Sequence, residues 1–143
     1  MELLYRSPVD VYIDEWVYEL LDTVERVGAR RVLIDSLSDL RFAAPDPIRF
    51  REYIYSLGQR LSRRGVSLFM TSELPDLFDA RRLSEFGVSH ISDNVVLLQY
   101  VRDDRAMRRA LTVLKTRASH HQPEVREFTI TPEGILLTHA SRR

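Results

Sequence analysis

Between residues 14 and 27, apolar side chains recur every three or four positions: Val17, Leu20, Leu21, Val24 and Val27. That spacing predicts a helix, because positions three and four apart share one helical face. Gly28 follows, placed where a helix commonly closes in left-handed backbone. The next apolar run, "RRVLIDSL" (30–37), is too short for a helix. It predicts a strand covered on both faces, as parallel strands usually are. Asp46-Pro47 predicts a helix start, since the carboxylate can accept a free N–H and proline suits the first turn. Phe50, Ile54, Leu57 and Leu61 continue at helical spacing as far as Gly65. "VSLFMTS" (66–72) predicts a second buried strand and "NVVLLQYV" (94–101) a third.

The pattern then changes. "RRALTVLK" follows "VVLLQYV" across the polar link Arg102 to Met107, which predicts an antiparallel hairpin. "REFTI" and "GILLT" flank Thr131-Pro132-Glu133-Gly134, with proline second and glycine fourth, as a tight turn prefers. Alternating strands and helices followed by strands alone predict an α/β fold. Its sheet is expected to be mostly parallel, flanked by helices, with antiparallel C-terminal edge strands, in one domain over 1–143. The stretch from Glu73 to Asp93 is long for a connection, and such loops are often functional.

Composition narrows the function classes. Acidic and basic residues balance at 21 each, so the basic footprint of a dedicated nucleic-acid binder is missing. No cysteine is present, which excludes disulfides, thiolate metal sites and a cysteine nucleophile. No apolar run approaches the roughly 20 residues that span a bilayer. "MELLYRSPVD" has no basic segment followed by an apolar one, so a secretory signal is not expected and a cytoplasmic location is.

In open α/β sheets, ligands bind outside the carboxyl ends of the strands. There "RVLI" ends in Asp35 and Ser36, and "VSLFM" in Thr71, Ser72 and Glu73. An aspartate there offers a hard anionic oxygen of the kind a nucleotide-bound magnesium ion takes; at a strand end it serves more often as a cap or turn residue. The run "LTVLKTRASHH" (111–121) raises a second question, since Leu111, Val113 and Leu114 read as buried while cations, hydroxyls and histidines end it. Arg109, Lys115, Arg117, Ser119 and His121 are all odd-numbered. In a chain that stays extended they emerge on one face, as a phosphate clamp or as a solvated strand end. Adjacent His120 and His121 point to opposite faces of an extended chain and do not suggest a metal site, which needs several convergent ligands. Ser89, His90 and Asp93 do not suggest a catalytic triad, because no nucleophile-elbow glycines flank the serine.

With these residues in hand, the sequence resembles the C-terminal half of a KaiC-like ATPase domain, of the RecA superfamily of P-loop ATPases. The likeness is carried by "RRVLIDSLSDL", "VSLFMTSE", "ISDNVVLLQY" and "RRALTVLKTRASHHQPEVREFTITPEGILL", in family order. The resemblance implies a partial RecA-like core in which ATP lies between neighbouring subunits of a hexameric ring. It implies that Asp35 matches the Walker B aspartate that supports Mg2+, with Glu73 as a second catalytic carboxylate. It further implies that Arg109, Lys115, Thr116, Arg117, Ser119 and His121 reach the nucleotide bound by the adjacent subunit, with the logic of an arginine finger.

Departures accompany the likeness. No glycine among those at 28, 58, 65, 87 and 134 begins the phosphate loop G-x-x-x-x-G-K-[S/T]. In the family that loop and an acidic pair that activates water come before the region matched here, so this polypeptide by itself is not expected to hydrolyse ATP. Ala118 stands where the family usually has glycine. Clock members carry adjacent hydroxyl phosphorylation sites before the strand matching 94–101; Ser89 fits one and His90 replaces the other. The alternative is a non-catalytic interaction or signalling domain that keeps the fold and meets regulatory protein partners.

Overall fold

The computed structural model describes residues 1–7, 10–44, 46–73, 91–103, 106–117, 119–121 and 124–138. The chain divides into two compact units, Met1–Glu73 and Leu74–Arg143. The α/β class holds, with a parallel sheet in the first unit and an antiparallel sheet in the second.

In the first unit, α1 spans Ile13–Val27 and buries Ile13, Val17, Leu20, Leu21 and Val24. Val27, at the end of the predicted stripe, is exposed. Gly28 closes the helix at φ 63°, and its N–H bonds to Glu25 O. A residue with a Cβ resists that conformation. Strand β1 (Arg31–Ile34) pairs in parallel with β2 (Ser67–Met70), placing Leu33 opposite Phe69 and Ile34 opposite Met70.

Between them lie α2 (Leu37–Phe42) and α3 (Pro47–Arg63). The short helix α2 is absent from the sequence pattern, because six residues give too little periodicity to read. It forms because Ser36 caps it, the serine Oγ accepting from Asp39 N, and because Leu37 and Leu40 bury. Helix α3 starts as the sequence predicts: Asp46 accepts from the N–H groups of Ile48 and Arg49, and Pro47 takes the first turn. Phe50, Ile54, Leu57 and Leu61 all bury, and α3 packs against β2 and α1.

The expectation that both early strands are covered on two faces fails. Val32 and Ile34 are buried, whereas Leu33 is 64% and Phe69 56% exposed. Alternate strand residues point to opposite faces, and only one face of this pair is covered.

The second unit holds β3 (Asn94–Asp103), β4 (Ala106–Thr116), β5 (Arg126–Thr131) and β6 (Gly134–Leu137). They form one antiparallel sheet in the order β3-β4-β5-β6, a meander. Both predicted hairpins are present, and the turn from Thr131 to Gly134 is closed by glycine at φ 125°. The C-terminal strands are antiparallel, as the sequence predicts, and form a four-stranded sheet.

One irregularity matters for the site. Val96 lies opposite Val113, but Val95 lies opposite Lys115, so Leu114 is an extra residue in β4. Such a bulge breaks the rule that residues of one number parity share a face. The buried residues of β4 are Ala110 and Thr112, while Leu111 and Val113 are half-buried and Leu114 is exposed. No helix among the described residues is long and apolar enough to cross a membrane.

Candidate functional site

Chemistry-bearing residues gather at two places, one in each unit. In the first, β1 and β2 end side by side and their backbones interlock: Thr71 N donates to Ile34 O, and Leu37 N donates to Thr71 O. That register sets Thr71 beside Asp35, and its hydroxyl donates to Asp35 Oδ1. The Asp35–Ser36 peptide bond is cis. Asp35 is exposed, and among the described residues nothing bonds to its Oδ2. Glu73 is exposed as well, its backbone N–H bound to Ser38 Oγ at 3.0 Å. Asp35 is therefore a strand-end carboxylate with one oxygen oriented by a hydroxyl and the other open. Thr71 and Ser38 were not assigned roles from the sequence; the parallel pairing of β1 and β2 is the signal that finds Thr71.

In the second unit, the last residues of β4 meet the start of β3. Lys115 Nζ donates to Ser92 O at 2.8 Å. Thr116 Oγ1 donates to Asn94 Oδ1 at 2.7 Å and lies 3.3 Å from Ser119 Oγ. Arg117 Nη1 is 3.0 Å from Asp93 Oδ1, and Arg117 N donates to Asp93 O, which carries the pairing past the end of β4. Lys115, Thr116 and Arg117 thus all meet residues 92–94, with Thr116 and its neighbour Ser119 on the other face from Lys115.

Arg109 does not share the face of Lys115. It lies opposite Tyr100 and places its guanidinium over that ring, 5.9 Å from the centroid. Cross-strand partners share a face, and along β3 Val95 and Tyr100 point oppositely. Lys115, opposite Val95, is therefore on the face of Leu97 and Thr112, and Arg109 on the other. The bulge at Leu114 is the reason, and it corrects the expectation drawn from odd numbering.

His121 is separate again. An open depression of about 500 Å³ is lined by Leu111, Val113 and Leu137 with His120, His121, Glu124 and Arg126. Both histidines face it, because the chain is no longer a strand there. Lys115 and Arg117 are not among its lining residues. Ser89, His90 and Ala118 lie outside the described residues.

Comparison with known proteins agrees with this picture at the level of family and fold. The family model described as "ATPase: KaiC" matches residues 8–142. The chain is 30% identical over 135 residues to the circadian clock protein KaiC3 of Synechocystis sp. (strain ATCC 27184 / PCC 6803 / Kazusa), covering 94% of this chain and 26% of that protein. It is 31% identical over 142 residues to the circadian clock oscillator protein KaiC of Parathermosynechococcus lividus, covering 99% and 26%. The chain therefore spans about a quarter of the length of these relatives. Among solved structures, a KaiC-like protein from the archaeon Pyrococcus horikoshii OT3 superposes with a TM-score of 0.75 at 24% identity, over 89% of this chain and 57% of that one.

Proposed function

The chain belongs to the KaiC ATPase family, and on that premise we propose that it supplies two parts of an ATP site shared between neighbouring subunits. Nucleotide binding is the family's general property, and the chain carries residues suited to it at two strand ends.

Asp35 is the carboxylate that supports Mg2+, directly or through water. What supports this role is its chemistry: an exposed, hard oxygen donor at a strand end, with Thr71 fixing its other oxygen. When bound, the ion neutralises triphosphate charge. Glu73 is a second carboxylate on the same strand ends, available to orient water.

Lys115 and Arg117 form the core of the wall that meets a nucleotide held by the adjacent subunit, with Thr116, Ser119, Arg109 and His121 as its further contacts. The observation that carries the reading is that Lys115 and Arg117 share a face at the end of β4. Two cations held there stabilise charge on the phosphate oxygens as the terminal bond loosens. Because the wall serves a neighbour, turnover depends on assembly, and a head-to-tail contact that closes gives a ring, here a hexamer. Ser89 is a phosphorylation position of this reading, and the cytoplasm its location.

The test is calorimetric titration of magnesium-ATP into this chain alone and into the chain joined to a phosphate-loop segment of the family. The chain alone is expected to give no binding, and the joined chain to bind and turn over. Lys115→Ala with Arg117→Ala should then lower turnover about a thousandfold, at the lower end of arginine-finger losses, with the melting temperature unchanged. Undiminished turnover in that double variant removes the proposed role.

A second reading, a non-catalytic interaction domain, draws on a different observation. One face of the antiparallel sheet leaves Val96, Leu98 and Ile130 more than half exposed. An open apolar face of that kind suits a protein partner.

A further inference from the structure

We propose that the start of β3 is a positioning cradle for the cationic wall, in which Asp93 holds Arg117 and Asn94 holds Thr116 and, through it, Ser119. This inference rests on the in-trans reading and adds residues that reading does not assign.

Three consecutive residues leading into β3 hold three consecutive residues that close β4. Ser92 receives Lys115, Asp93 receives Arg117 and Asn94 receives Thr116. The backbone alone fixes where these side chains begin, through the Asn94–Thr116 pair and the Arg117 N to Asp93 O bond. It does not fix where they end. Arg117 is 62% exposed, so packing leaves its rotatable bonds loose, and a carboxylate 3.0 Å away is what restrains the guanidinium. That restraint does not block the proposed task. A guanidinium has five N–H donors in a planar fork, and Asp93 engages one nitrogen, leaving the rest for a second anion.

Asn94 acts by fixing a direction. Its Oδ1 takes the Thr116 hydroxyl proton. The Thr116 oxygen is then left as an acceptor, so Ser119, 3.3 Å away, must donate toward it. A single amide oxygen thereby orients two hydroxyls. Asp93 and Asn94 are positioning residues, acting through the groups that meet the phosphates.

Nitrogen-15 NMR on the chain tests this in two arms. In the ligand-free chain, the Arg117 Nε–H order parameter is expected above about 0.6, falling below it in Asp93→Ala, with Asp93→Glu restoring most of it. Asp93→Asn, which keeps the shape and removes the charge, replaces the alanine variant if that one unfolds. An order parameter unchanged by either substitution overturns the cradle. So does a wild-type Arg117 as mobile as the exposed Arg60.

The second arm titrates inorganic tripolyphosphate into the chain joined to a phosphate-loop segment of the family. In the wild type, Lys115, Thr116 and Arg117 signals are expected to shift along one curve, and in Asn94→Ala the Thr116 response should drop several-fold and separate from it. A common curve that persists in Asn94→Ala overturns the Asn94 part. If the first arm succeeds but the wild type gives no common curve, the cradle stands and the nucleotide reading fails.

Discussion

The hydroxyl of Thr71 is hydrogen-bonded to the carboxylate of Asp35, joining the ends of two parallel strands that are 36 residues apart in sequence. The aspartate's position comes from β1, but its orientation comes from β2. Thr71→Val keeps the side chain's shape and removes the donor. In the chain joined to a phosphate-loop segment, this substitution should weaken magnesium-ATP binding about fivefold, equivalent to the ~1 kcal/mol of one hydrogen bond. Thr71→Ser should restore it. Equal affinity in all three proteins, measured by calorimetry, removes Thr71 from the site.

Thr112 carries a different kind of strain. It is buried, opposite Leu97, and among the described residues its Oγ1 has no hydrogen-bond partner. An unpaired buried hydroxyl costs roughly 1–3 kcal/mol. Thr112→Val should therefore stabilise the fold, raising the midpoint of urea unfolding without changing its slope. A lower midpoint would mean that the hydroxyl is satisfied.

Gly28 ends α1 at φ 63°, and a Cβ added there meets nothing within 4 Å. Its cost is thus conformational and not steric crowding. Gly28→Ala should destabilise by about 1 kcal/mol, and Gly28→Asn by less, because asparagine tolerates left-handed backbone. Thermal melts of the two variants distinguish them; equal melting of both would show that the backbone conformation is not the determinant.

Tyr53 on α3 donates a hydrogen bond to Asp14 on α1. That bond, then desolvation, raises its phenol above the ordinary value of 10.0. A pKa raised by folding contributes stability that is present below the unfolded value and lost as pH rises through the folded one. Absorbance at the phenolate band should show one tyrosine titrating late, and Tyr53→Phe should remove both that step and the extra alkaline loss of stability. A late step that survives in Tyr53→Phe assigns it elsewhere.

Local signals carried much of this fold into the sequence. The stripes of α1 and α3, the Asp46-Pro47 start, the Gly28 stop and the Thr131–Gly134 turn each depend on residues within a few positions of one another. The backbone has few choices there, so the pattern suffices. The strand-end position of Asp35 was legible for the same reason.

What remained depended on partners distant in the chain. Whether Leu33 and Phe69 are covered is set by what packs on them, not by their run of apolar neighbours. The extra residue at Leu114 exists only relative to β3, and it alone sends Arg109 and Lys115 to opposite faces. The grip of Asp93 on Arg117, of Asn94 on Thr116 and of Thr71 on Asp35 likewise arises from strand register. Sequence determined which elements form, because those forces act between near neighbours. Tertiary structure decided which side chains meet, because pairing joins residues that the chain itself keeps apart.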